Sequence, residues 1–242
     1  MPPRSRTIGT DARDLPVSRW LSAVALGLSL LLPLGAGSAR AAPTAPAVSP
    51  TSTTHVYLLR GVLNIFSLGL DDIAAKLQAQ GIPVTVSNFV SWSSLADEAA
   101  TAYKAGRLKT VILVGHSSGA TALPDMIAKL GQLGVPVKLA IGLDSVFKTK
   151  LVGGNAERYI NFYVANGAGE PVRSDDGFRG KVENVDVETV PGVGHLTIEK
   201  NLIMQQKVIG AIDSVVFAKG RPAAPAVVAP QRAASATGAV RN

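Results

Sequence analysis

The pentapeptide Gly115-His116-Ser117-Ser118-Gly119 sets a serine hydroxyl between two glycines. A serine attacks a carbonyl well only when a neighbouring base takes its proton. The chain has three histidines that could serve as that base, His55, His116 and His195. Chance alone would give about 0.2 such pentapeptides at this glycine and serine content, so the flanking residues decide what the motif means. Val111–Val114 run into it without polar alternation, as in a strand buried on both faces of a parallel sheet, and a helical pattern follows. Strand, tight turn and helix is the context in which G-x-S-x-G presents a nucleophile. The glycines leave room for a turn sharp enough to hold Ser117 under strain, with the positive end of the next helix behind it.

His195 is the base by position. His116 neighbours Ser117 on the turn, so its ring points away from the hydroxyl. His55 opens the first strand at its amino end, far from the motif. His195 follows the last strand in the loop Pro191-Gly192-Val193-Gly194-His195, where an imidazole can reach over the nucleophile. With no cysteine and no H-x-x-x-H spacing, neither a thiolate nor a histidine metal site is expected, and the chemistry calls for no cofactor.

The elements that must position these groups read in order. His55–Leu59, Pro83–Ser87, Val111–Val114, Val137–Leu143, Tyr159–Val164 and Val182–Val190 are strands. Helices are expected from Leu70 to Gln80, from Leu95 to Lys104 behind a Ser93 or Ser94 cap, through Leu123–Leu130, and from Thr197 to Val216. Alternating strands and helices predict a three-layer, doubly wound α/β domain with a mostly parallel sheet of about six strands. Reactive loops then gather at the carboxyl ends of the strands. No insertion is long enough for a large lid; Ser145–Arg158 is the longest candidate flap.

The domain spans about 55–219. Residues 1–41 carry four arginines, then an uncharged Leu-rich stretch and Ala39-Arg40-Ala41, the pattern of a signal peptide cleaved after Ala41. An uncleaved bilayer tether at 20–39 is the alternative. Residues 42–54 read as a flexible linker and 220–242 as a disordered Pro/Ala-rich tail. The expected location is therefore outside the cytoplasm, periplasmic or secreted. Of the net charge of +7, residues 1–41 carry +3 and 220–242 carry +3, which leaves +1 for the body and argues against nucleic-acid binding.

The elbow, the Gly-rich approach to His195 and the order nucleophile, acid, histidine resemble the α/β-hydrolase superfamily, particularly its small lipase- and thioesterase-like members. The resemblance implies a Ser-His-Asp triad and an acyl-serine intermediate, with a small-molecule or lipid ester as substrate. Asp144 is the first candidate for the acid. It ends the strand expected beside that of Ser117, and Ile141-Gly142-Leu143-Asp144 is similar to the acid position of one lipase branch. Asp176, Asp175 and Glu170 are the alternatives, one strand later. The oxyanion hole implied would take one N–H from Ser118 and one from the loop after the first strand, at Gly61, Val62 or Leu63. Arg60-Gly61 departs from the His-Gly pair common there, and Trp92 and Phe66 are candidates for the pocket wall. A non-catalytic protein that binds or joins the envelope on the same fold is the competing function.

Overall fold

A computed structural model describes residues 49–62, 67–147 and 151–218. These belong to one compact unit, Pro46–Asn242. The expected signal peptide, most of the linker, the tail, Leu63 and Phe66 lie outside the described residues.

Six strands form one sheet: β1 (Thr54–Arg60), β2 (Val84–Asn88), β3 (Thr110–His116), β4 (Val137–Leu143), β5 (Arg158–Tyr163) and β6 (Lys181–Asp186). All neighbours pair in parallel, in the order β2-β1-β3-β4-β5-β6. The winding reverses between β1 and β3, so the chain diverges just beyond their carboxyl ends, where a parallel sheet opens a crevice. Gly61 and Ser117 both stand there.

Alternation along the central strands sorts the core into two layers. Val56, Leu58, Ile112, Val114, Ile141 and Phe162 face helices α1 (Gly69–Ala79) and α4 (Leu202–Val216). Tyr57, Leu59, Val111, Leu113 and Ala140 face α2 (Trp92–Lys104) and α3 (Ser118–Gln132). Both faces are covered, which explains why these strands read as unbroken apolar runs.

Beyond shifts of one or two residues, three boundaries differ from the sequence reading. β6 stops at Asp186, because the N–H groups of Val190 and Val193 bond to the carbonyls of Val187 and Val190 in successive turns. Val187 and Val190 still pack on the core, so their apolarity reports burial and not strand. α4 begins at Leu202, where the Asn201 side chain accepts the N–H groups of Ile203 and Met204. α2 begins at Trp92, so Ser93 and Ser94 lie within its first turn. Ser93 Oγ instead accepts the Lys129 ammonium at 2.8 Å, and Ser94 Oγ donates to the Ser91 carbonyl.

The two motif glycines are where backbone meets backbone. A Cβ on Gly119 would collide with the Leu59 carbonyl oxygen of β1, and one on Gly115 with the backbone of Gly119. Gly119→Ala should therefore force β1 and α3 apart. We expect a loss of at least 1–3 kcal/mol, the typical cost of overpacking, in urea denaturation.

Candidate active site

Ser117 sits between β3 and α3 with φ 58° and ψ −124°, in the left-handed half of the map that a side chain rarely enters. Its N–H donates to the Leu143 carbonyl of β4 at 3.0 Å, and its carbonyl accepts from Thr121 in α3. These bonds hold a conformation that costs on the order of 1–3 kcal/mol, and they turn the side chain out over the end of the sheet.

His195 comes to it from the loop after β6. Its Nε2 lies 3.1 Å from Ser117 Oγ, and its Nδ1 lies 2.6 Å from Asp144 Oδ2. A carboxylate can only accept, so Nδ1 carries the proton and Nε2 is left to accept from the serine hydroxyl. Asp144 is fully buried, whereas the His195 side chain is 24% exposed. Asp144 also has positive φ, 47°, a region aspartate tolerates. That turn sends Oδ1 to the Val164 N–H at 2.8 Å while Oδ2 meets the imidazole. Gly169 packs against the same carboxyl, with no room for a Cβ.

Ser117, His195 and Asp144 thus form one hydrogen-bonded line. Asp175, Asp176 and Glu170 do not join it and are all exposed. Asp175 accepts the Gly177 N–H in a turn, and the Glu170 carbonyl accepts from Asn161. His55 is at the opposite end of β1, bonded to Thr85.

Gly61 lies so close to Ser117 that a Cβ on it would stand 2.9 Å from Ser117 Cβ and 3.2 Å from Oγ. Its N–H, one of three candidates for the second oxyanion donor, goes to Ser67 Oγ at 3.1 Å. Val62 follows it at the mouth and Ser118 opens α3. Arg60 pairs with Asp71 of α1.

Val62 lines two clefts. One, of about 220 Å³, is lined by Gly61, Val62, Ser67, Ser117, His195 and Leu196 among others. The second, of about 260 Å³, has Phe89, Trp92, Thr121, Asp125 and Phe147 around it. Among the described residues no group of three or more His, Cys, Asp or Glu side chains is gathered as for a metal ion.

His116 and Glu199 were missed as site residues by the sequence reading. His116 points away from Ser117 as expected, but into the protein, 1% exposed. Its Nδ1 is 2.8 Å from Ser67 Oγ and its Nε2 2.8 Å from the His195 carbonyl. Burial pushes its pKa down to about 4, so the ring is neutral in ordinary buffers. Glu199, fully buried, places Oε2 3.7 Å from His116 Nε2, and burial raises its pKa. The available signal was that a histidine flanking a buried elbow must find partners, because an unsatisfied imidazole is costly to bury.

No protein-family model matches the chain, and no curated protein matches it in sequence. Solved structures similar to it include one from Xanthomonas campestris pv. campestris, described as a "putative hydrolase of the alpha/beta superfamily". That likeness has a TM-score of 0.41 and 14% identity, and covers 66% of this chain and 98% of the other.

A histidine whose pKa falls on folding leaves the unfolded chain holding more protons between about 6.5 and 4. Its contribution to stability is whole above pH 6.5 and drains away as pH falls towards 4. His195, Asp144, Lys200 and Glu199 surround the ring, and Glu199 shifts in the opposite sense. The difference between wild type and His116→Gln isolates the histidine. In urea titrations from pH 7 to pH 4 the wild-type advantage should shrink steadily with acid.

Proposed function

We propose that the chain is a serine hydrolase of the α/β-hydrolase superfamily that cleaves a carboxylic ester through an acyl-Ser117 intermediate. The observation that carries this reading is the unbroken line Ser117 Oγ–His195–Asp144, with bonds of 3.1 and 2.6 Å and the serine held at φ 58°.

Ser117 Oγ attacks the ester carbonyl as its proton passes to His195 Nε2. Asp144 accepts the Nδ1–H throughout, which keeps the ring in the useful tautomer and stabilises the imidazolium. The oxyanion meets the Ser118 N–H at the start of α3. The second donor is Val62, since the Gly61 N–H is engaged by Ser67. His195 then passes its proton to the leaving alkoxide, the ester C–O bond breaks and the acyl group stays on Ser117. A water repeats the cycle and releases the acid.

Proton delivery also assigns the two clefts. The leaving oxygen must lie against His195, so the alcohol part belongs in the cleft lined by His195 and Leu196. The acyl part then extends past Val62 into the cleft walled by Phe89, Trp92 and Phe147. Each is smaller than the roughly 300–1,000 Å³ common for drug-sized ligands, which favours short acyl groups. Export, read from residues 1–41, favours carboxylic esters over the thioesters of cytoplasmic acyl carriers.

The test is a series of p-nitrophenyl esters from acetate to palmitate, run with a fluorophosphonate probe. Wild type should take up one probe per chain and turn over short chains best. Ser117→Ala should lose both activities, and His195→Ala nearly all turnover. Asp144→Asn should lower kcat roughly 10³–10⁴-fold by favouring the wrong tautomer, whereas Asp176→Asn should leave it within about twofold. A wild-type protein that neither labels nor hydrolyses any ester is a binding protein on this fold.

A further inference from the structure

His116 is the buried imidazole that the proposed reaction does not use, yet its ring lies 5.2 Å from that of His195. Its bonding is determined by its partners. The His195 carbonyl can only accept, so His116 Nε2 carries the proton. A neutral ring must then accept at Nδ1, and the donor is the Ser67 hydroxyl at 2.8 Å. The Ser67 oxygen in turn accepts the Gly61 N–H at 3.1 Å. The path runs from the turn after β1, through Ser67 before α1, to the elbow after β3 and on to the loop after β6. Three segments far apart in sequence are joined by a single side chain at the position just before the nucleophile.

We propose that His116 and Ser67 are positioning residues, which strap the Gly61–Val62 turn and the His195 loop to the nucleophile elbow. Both ends matter to the reaction. One end sets where the Val62 N–H points, and the other sets the height of the His195 backbone from which the base reaches Ser117. Both border the smaller cleft, but neither meets a reacting atom, because their polar atoms are engaged by the Gly61 N–H, by each other and by the His195 carbonyl. Ser67 and His116 are both 1% exposed, so water does not replace either bond when one is removed.

The kinetic part of the test rests on the hydrolase reading; the spectroscopic part does not. Ser67→Ala, His116→Phe and His116→Gln are compared with wild type, with Leu130→Ala as a control for lost stability. Leu130 is buried in the other half of the core, towards the far end of α3. Two quantities are measured on the full chain: kcat and KM on the best ester, and the low-field proton resonance of His195 Nδ1–H against Asp144.

Ser67→Ala and His116→Phe should lower kcat about 10- to 100-fold, the scale of a small misplacement of reacting groups. Their KM should stay within about threefold of wild type. Both should shift or broaden the His195 resonance. His116→Gln, which keeps a donor and an acceptor, should recover most of the rate, and Leu130→Ala should lower Tm without moving kcat or the resonance. The strap is overturned if Ser67→Ala, the milder variant, matches wild type in both readouts, or if Leu130→Ala moves them as far. Should wild type turn over no ester, the hydrolase reading falls alone and the resonance still decides the strap.

Discussion

Three glycines bring separate segments of the chain into direct contact at the end of this sheet. Gly119 lies against the Leu59 carbonyl of β1, Gly115 against Gly119, and Gly61 against the Ser117 side chain. That crowding is the constraint from which the rest follows. It presses the first turn of α3 onto β1 and β3, and β3 ends with Ser117 at a positive φ. The strain, about 1–3 kcal/mol, is held by packing that continues on both sides of the sheet. Leu123, Met126, Ile127 and Leu130 anchor α3 in one half of the core, and the other half anchors α1 and α4.

Asp144 illustrates how backbone direction decides between chemically equal candidates. Asp144, Asp175, Asp176 and Glu170 all follow strands β4 or β5, and each could in principle face a histidine. Only at Asp144 does the chain turn left-handed directly at the strand's end, which swings the carboxylate inward between Val164 and His195. With one oxygen fixed by a backbone N–H, the other is oriented for the ring. A rigid acceptor of this kind sets the imidazole's plane as well as its tautomer.

Much of the fold was legible because both-sided burial writes continuous aliphatic runs, and β1, β3 and β4 fall within a residue or two of where those runs lie. What failed were places where apolarity and backbone part company. Val187 and Val190 are apolar because they pack, not because they extend. The start of α4 was hidden because Asn201, an ordinary cap, stands in a segment whose turns already look helical from Thr197 onwards. Ser117 and His195 could be nominated from local chemistry. The link from Ser67 to His116 and on to His195 could not, since its two bonds span 49 and 79 residues and leave no periodic trace.

The sheet's margins carry a last consequence. β2 and β6 are its outermost strands. On β6, Lys181 and Asp186 are exposed, and Glu183 is clasped by Arg158 and Lys181. A foreign strand zipping onto that margin would have to strip water from these charges and disrupt the cluster. The hydrogen-bonding ladder therefore discourages its own extension, and among the described residues this margin is guarded by electrostatics.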